Sequence, residues 1–239
     1  MTDLLYQTDS YLKTFTTAVL AVDEAAHSVL LDRTAFYPGG GGQPADSGVL
    51  VHLGAELPVT RARKGAEGIW HALAEGTALP PVGATIEGRL DWERRYALMR
   101  THSAMHILCG VVYRDFDALV TGGDMEPLHG RMDFEFESLS KDLVGVIEES
   151  VNREVAAAHP VRVAILPRDE AFQIPDLIRT KINLLPPEIS HIRTIELVGL
   201  DLQADGGTHV HSTAEVGRIR IVDYKSKGKI NKRIYVELD

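Results

Sequence analysis

The 239-residue chain has one cysteine, Cys109, so no disulfide can form within it. A reducing compartment suits such a chain, and a cytoplasmic location is the expectation. No run of about 18 apolar residues occurs, so no membrane-spanning helix is expected. The first ten residues carry Asp3 and Asp9 and no basic cluster, unlike a secretory signal. Basic residues are scarce: 25 Lys and Arg stand against 34 Asp and Glu, a formal net charge of −9. As a sum, this counts against nucleic-acid binding, because phosphate contacts need Lys and Arg. The distribution points the other way. Arg218, Arg220, Lys225, Lys227, Lys229, Lys232 and Arg233 crowd one short stretch in which Asp223 is the only acid. That stretch is either an electrostatic footprint or a solvated, lysine-rich hairpin.

Nothing repeats along the chain and no tract is of low complexity. The first third reads as short strands, with a hairpin from Thr16–Val22 and His27–Leu31. Tyr37-Pro38-Gly39-Gly40-Gly41-Gly42-Gln43-Pro44 must be a loop, since its glycines and prolines cannot continue a helix or a central strand. The character changes near residue 89. Asp91 is a good helix N-cap, and Trp92–Phe116 contains no proline and only Gly110, which predicts one long helix. A second helix is expected over Lys141–Ala158, with Leu143, Ile147, Val151 and Val155 as its apolar stripe and Pro160 beyond its end. Strands follow at Val161–Leu166, Ile192–Val198, Val216–Asp223 and Lys232–Leu238, the last two joined by a turn around Gly228. The expected class is α+β: a barrel-like, β-rich domain over residues 1–88, then an α/β domain with an antiparallel sheet and the long helix over residues 89–239.

His102 and His106 lie four apart on that helix, on one face and one turn apart, where two imidazoles can grip one metal ion. A zinc peptidase would have a Glu directly after the first His; Ser103 stands there instead. A bare pair of helix histidines is also an ordinary surface feature. A third candidate changes the weighing. Gln203-Ala204-Asp205-Gly206-Gly207-Thr208-His209-Val210 is a polar loop whose glycines allow close approach to a ligand, and Asp205 and His209 could complete a site of three nitrogens and one oxygen. Gln203 and His211 remain open as substitute ligands. Cys109 lies about 10 Å along the helix from His102, so it reads as packing rather than as a ligand. No Ser-His-Asp arrangement is legible, and no Gly-Lys-Ser/Thr follows the glycine run, so it is not a phosphate loop.

Three motifs occur in order: Tyr37-Pro38 with the glycine run, Gln43-Pro44, Asp46 and Gly48; then His102-x-x-x-His106; then Gly206-Gly207-Thr208-His209-Val210. Together they closely resemble the editing region of alanyl-tRNA synthetase and its free-standing relatives, the AlaX proteins, of which the medium-length class has a β-rich N-terminal domain. The resemblance implies hydrolysis of the ester joining serine, chiefly, or glycine to tRNA(Ala); with no Ser-His-Asp arrangement legible, attack by water without a covalent enzyme intermediate is expected. It also implies one Zn2+ held by His102, His106, Asp205 and His209. Most relatives have cysteine where Asp205 stands, so a harder ligand replaces a thiolate and other divalent ions compete more easily. Thr34, Gln43 and His106 are the implied catalytic group, with Thr34 reading the serine hydroxyl. Gly41, Gly42, Gly207 and Thr208 would shape the substrate pocket. Lys225, Lys227, Lys229 and Arg233 would contact the RNA backbone, helped by Arg100, Arg94 and Arg95. Two other classes stay in view: a metal-dependent hydrolase of small esters or amides, and a tRNA-binding module without turnover.

Overall fold

The computed structural model describes residues 2–175, 177–180, 185 and 189–239. It divides into two compact units, Met1–Ala97 and Leu98–Asp239. The cut falls inside one continuous helix.

The first unit is a closed six-stranded barrel. Its strands are β2 (Thr14–Asp23), β3 (Ser28–Leu31), β5 (Gly48–His52), β6 (Ala55–Gly65), β7 (Gly68–Leu73) and β8 (Thr85–Leu90), with β1 (Asp3–Leu4) and β4 (Arg33–Thr34) forming a short parallel pair beside it. The barrel runs β2-β3-β7-β6-β5-β8 and closes by pairing β8 with β2, so no edge is left. Inward positions alternate along β7, where Ile69, His71 and Leu73 are buried, while in β6 the step from Val59 to Ala62 crosses a bulge and β3 is buried throughout. Phe15, Val19, Leu31, Phe36, Leu50, Ile69 and Ile86 fill the interior.

Helix α1 (Trp92–Phe116) has the limits that its lack of proline predicts. From Thr101 to Val112 every residue is buried, so it is a central helix and not a surface one. Around it, in the second unit, stand two antiparallel sheets. One has the order β14-β15-β10-β9, from β9 (Val120–Glu126), β10 (His129–Glu135), β14 (Ile219–Ser226) and β15 (Asn231–Leu238). The other has the order β11-β12-β13, from β11 (Val161–Pro167), β12 (His191–Leu197) and β13 (Asp201–Ala204). Helix α2 (Lys141–Ala156) is capped by Ser140, whose side chain accepts the Leu143 amide at 3.2 Å. Helix α3 (Arg168–Ala171) is one turn. The class is therefore α+β, and no described helix is long and apolar enough to cross a membrane.

Two sequence expectations shift. The buried stripe of α2 is Val144, Ile147, Ser150 and Val151, with Leu143 and Val155 only half-buried. Four-residue steps drift around a 3.6-residue turn, so a stripe spaced strictly by fours leaves the buried face. The β9–β10 hairpin lies in a stretch where no element was expected. Gly122, Gly123 and Gly130 interrupt its alternation, and Leu128 turns the hairpin at φ 63°.

Candidate metal centre

Four side chains converge in the second unit. His102 and His106 come from the buried face of α1; Asp205 and His209 come from the loop after β13. Their donor atoms all lie within 4.8 Å of one another. Asp205 Oδ2 is 3.4 Å from His102 Nε2, and its Oδ1 is 3.0 Å from His209 Nε2. The ring centroids of His102 and His209 are 4.3 Å apart, and those of His106 and His209 are 4.8 Å apart.

The loop bends so because Asp205 closes a small turn on itself. Its Oδ1 accepts the Gly207 amide at 2.7 Å, and the buried Arg193 donates to its backbone carbonyl at 3.0 Å. Gly207 and Thr208 are buried behind it. Ser103, where a peptidase would carry its base, instead takes the Val210 amide and lies 3.2 Å from Nδ1 of His209. That contact leaves the Nε2 of His209 facing the cluster.

Electrostatics puts three of these four groups in the form a metal needs. Burial pulls His102 down to about 4, with the neighbouring His106 and Arg193 adding to it and Asp205 opposing. Burial and the charge of His102 hold His209 well below the ordinary range. Burial alone would raise Asp205, but the surrounding imidazoles and the His209 contact overcome it and hold Asp205 well below the usual carboxylate range. Only His106 rises: burial opposes this, and the hydrogen bond and charge of Asp201 outweigh burial. At neutral pH, His102 and His209 therefore offer lone pairs and Asp205 offers a carboxylate. Tetrahedral zinc with bonds of roughly 2.05 Å needs donors about 3.4 Å apart. The Asp205 pairs at 3.0 and 3.4 Å are close to this, and the four donors, all within 4.8 Å of one another, would draw together to hold one small divalent ion.

The alternative ligands stand apart from this set. Gln203 donates its amide to Asp201 at 2.7 Å and to the Cys109 sulfur at 3.3 Å. Cys109 is buried, and burial pushes its thiol up, away from the thiolate. His211 is exposed, with its amide on Glu215.

Thr34 and Gln43 belong to the barrel unit and both are buried. The Thr34 hydroxyl lies 2.9 Å from Nε2 of His71 and accepts the Phe36 amide at 3.1 Å. The glycine run forms a narrow tongue. Gly40 and Gln43 exchange backbone hydrogen bonds of 3.0 Å, and Gly39, Gly40, Gly41 and Gly42 all have positive φ, which favours glycine. Gly41 is exposed at the tip and Gly42 half-buried. At its base, Asp46 accepts the Tyr37 amide at 2.6 Å and is gripped by Arg95 through Nε at 3.0 and 3.1 Å.

The basic residues divide into two groups. Lys225, Lys227 and Lys229 are exposed on the β14–β15 hairpin, and Lys225 pairs with Asp223 at 2.9 Å. Arg233 makes a two-point pair with Asp133 at 2.6 and 2.7 Å, and Lys232 is buried against the Gly228 and Lys229 carbonyls. Arg100 holds the Val216 carbonyl at 2.9 and 3.1 Å, and Arg94 holds Ala45. Arg95 is fully buried, which removes it from any RNA surface. Sequence reasoning missed Asp201, Ser103, Arg193 and His71. For Asp201 a signal existed: an acid two and four residues before Gln203 and Asp205, in step with a strand's period.

Residues 8–94 match the family described as tRNA synthetases class II (A), and residues 192–235 match the threonyl and alanyl tRNA synthetase second additional domain. The chain is 39% identical over 237 residues to the alanyl-tRNA editing protein AlaX-M of Saccharolobus solfataricus, covering 98% of each. It is 36% identical over 244 residues to the AlaX-M protein of Methanosarcina acetivorans, covering 100% of this chain and 99% of the relative. It is also 38% identical over 224 residues to the alanine–tRNA ligase of Pyrobaculum neutrophilum, spanning 91% of this chain but 25% of that enzyme. With near-complete coverage at this identity, the chain belongs to the AlaX-M family of alanyl-tRNA editing proteins.

Proposed function

We propose that this chain is an aminoacyl-tRNA deacylase. It hydrolyses the ester in tRNA(Ala) wrongly charged with serine, and with glycine, using one zinc ion held by His102, His106, Asp205 and His209. The convergence of three histidines and one carboxylate carries this reading. It is supported by full-length likeness to proteins named for alanyl-tRNA editing. When bound, the metal supplies Lewis-acid polarisation of the ester carbonyl or of a water.

The chain's own residues do the rest. Asp205, turned by the Gly207 amide and braced by Arg193, keeps both carboxylate oxygens on the imidazoles. Ser103 fixes the ring of His209. An aminoacyl ester is already activated, so selection is the harder task. Alanine is smaller than serine and cannot be excluded by size, so a group dedicated to the serine hydroxyl must discriminate. Thr34 is assigned that role, with Gln43 and the tongue at Gly41 and Gly42 shaping the amino-acid site. Gly207 and Thr208 shape the surroundings of the metal ligands. Lys225, Lys227 and Lys229 contact the RNA backbone; Arg233 and Arg100, already committed to Asp133 and Val216, support that surface.

The test is deacylation of Ser-tRNA(Ala), Gly-tRNA(Ala) and Ala-tRNA(Ala) with zinc and with chelator. Fast loss of serine, alanine spared and chelator inhibition are expected. A protein that leaves Ser-tRNA(Ala) intact under every metal condition is not this enzyme.

A further inference from the structure

One face of α1 carries His106, Cys109, Gly110 and Tyr113, and the start of β13 lies against it. Gly110 makes this approach possible. A Cβ there would lie 2.9 Å from Leu200 Cγ and 3.1 Å from both Asp201 Cβ and the Leu200 carbonyl. The close approach brings the buried Asp201 carboxylate to 2.9 Å from Nδ1 of His106. Donors surround the same carboxylate. The Gln203 amide nitrogen is 2.7 Å from Oδ2, and Arg179 Nε is 3.6 Å from Oδ1, with the Arg179 guanidinium 3.7 Å over the Tyr113 ring.

We infer that Asp201 is the positioning residue for His106, fixing its ring so that Nε2 faces the other donors with a lone pair. The inference rests on reading those donors as a metal site. A carboxylate only accepts, so a neutral His106 must carry its proton on Nδ1. The lone pair is then on Nε2, which is the atom left to reach His102, Asp205 and His209. Gln203 donates to the same Oδ2 that meets His106, and Arg179 faces Oδ1, so donors surround both oxygens and an amide donor cannot replace either quietly. An imidazole free to choose would spend part of its time as the Nε2–H form, which cannot bind metal, and each such flip would weaken the site.

Asp201→Asn tests this at nearly constant shape. Its amide turns a donor either to the position that His106 and Gln203 share, forcing the wrong tautomer, or to the position facing the Arg179 guanidinium, which is itself a donor. Two measurements are made on full-length protein. Ring-nitrogen NMR of the metal-free wild type, at a pH where His106 is neutral, is expected to show the Nδ1–H form. Competition against a chromophoric chelator is expected to show zinc and cobalt affinities 10- to 100-fold weaker in Asp201→Asn. An Nε2–H ring in the wild type, or a variant binding zinc within about twofold of it, overturns the inference. If the variant does not fold, the wild-type tautomer decides alone. A wild type that binds no divalent ion sinks the metal reading instead, and the ring-nitrogen result still judges Asp201.

Discussion

The Thr34 hydroxyl and the His71 imidazole meet at 2.9 Å inside the barrel, and both residues are fully buried. The ring edge of Phe36 packs against His71 with centroids 5.4 Å apart. Burial lowers His71 from its ordinary 6.5 to about 4, partly opposed by the carbonyls of Val29 and Ile69. The folded barrel thus holds His71 neutral where the unfolded chain would protonate it. Between pH 6.5 and 4 the unfolded state binds the extra proton, so stability falls as pH falls and is complete only above 6.5. The loss by pH 4 should approach roughly 3 kcal/mol. His71→Gln, which cannot titrate, should lose less over that interval in urea unfolding. Parallel pH profiles for the two proteins would refute the assignment.

The same contact bears on the proposed selection of serine. Thr34 accepts the Phe36 amide and meets His71; with its own proton donated to His71, one oxygen lone pair remains to accept from a serine hydroxyl. Thr34→Val keeps the volume and removes the hydroxyl. Serine removal from tRNA(Ala) should then slow by tenfold or more, the order of an unmade hydrogen bond to a dedicated group. Ala-tRNA(Ala) should remain spared. A variant as fast and as selective as the parent would leave Thr34 a barrel residue only.

Asp46 and Arg95 form the most deeply buried ion pair at the tongue, with side chains 1% and 0% exposed. Arg95 also donates to the Ser10 carbonyl at 2.9 Å and to that of Ala35. Removing one partner strands the other charge without water. Asp46→Leu or Arg95→Met alone should therefore cost about 3–5 kcal/mol, and the double variant should recover much of it. Thermal and urea unfolding measure this directly. Single variants within 1 kcal/mol of wild type would show the pair to be dispensable.

The helices and the donor set were legible because their signals are local. A 25-residue stretch without proline can hardly be other than α1, and a four-residue spacing puts His102 and His106 on one face whatever surrounds them. What was hidden depends on tertiary partners. Arg95 reads as a basic residue near a helix start and turns out to clamp the glycine tongue, because Asp46, 49 residues away in the chain, meets it. Arg233 reads as part of a basic hairpin and is satisfied by Asp133 from the neighbouring strand. Asp201 could be suspected only as an acid in step with Gln203 and Asp205. Its contact with His106 needs the gap that Gly110 leaves. Charge counted along a chain overstates the charge a fold presents.

That lesson sharpens the expectation for RNA. With Arg233 on Asp133, Lys232 on backbone carbonyls and Lys225 on Asp223, Lys227 and Lys229 in the turn between β14 and β15 are left as the exposed cations of the hairpin tip. Lys225 is surface-exposed, and its pair with Asp223 is a weak one that phosphate can displace. Changing Lys225, Lys227 and Lys229 to Gln should weaken tRNA binding and flatten the log–log dependence of affinity on salt by about 2, at roughly 0.7–0.9 per lost phosphate contact. Arg233→Gln should instead lower stability, because it leaves the Asp133 carboxylate, only 11% exposed, without its partner. Filter binding at several salt concentrations separates the two effects. An unchanged slope in the triple variant would move the RNA surface away from this hairpin.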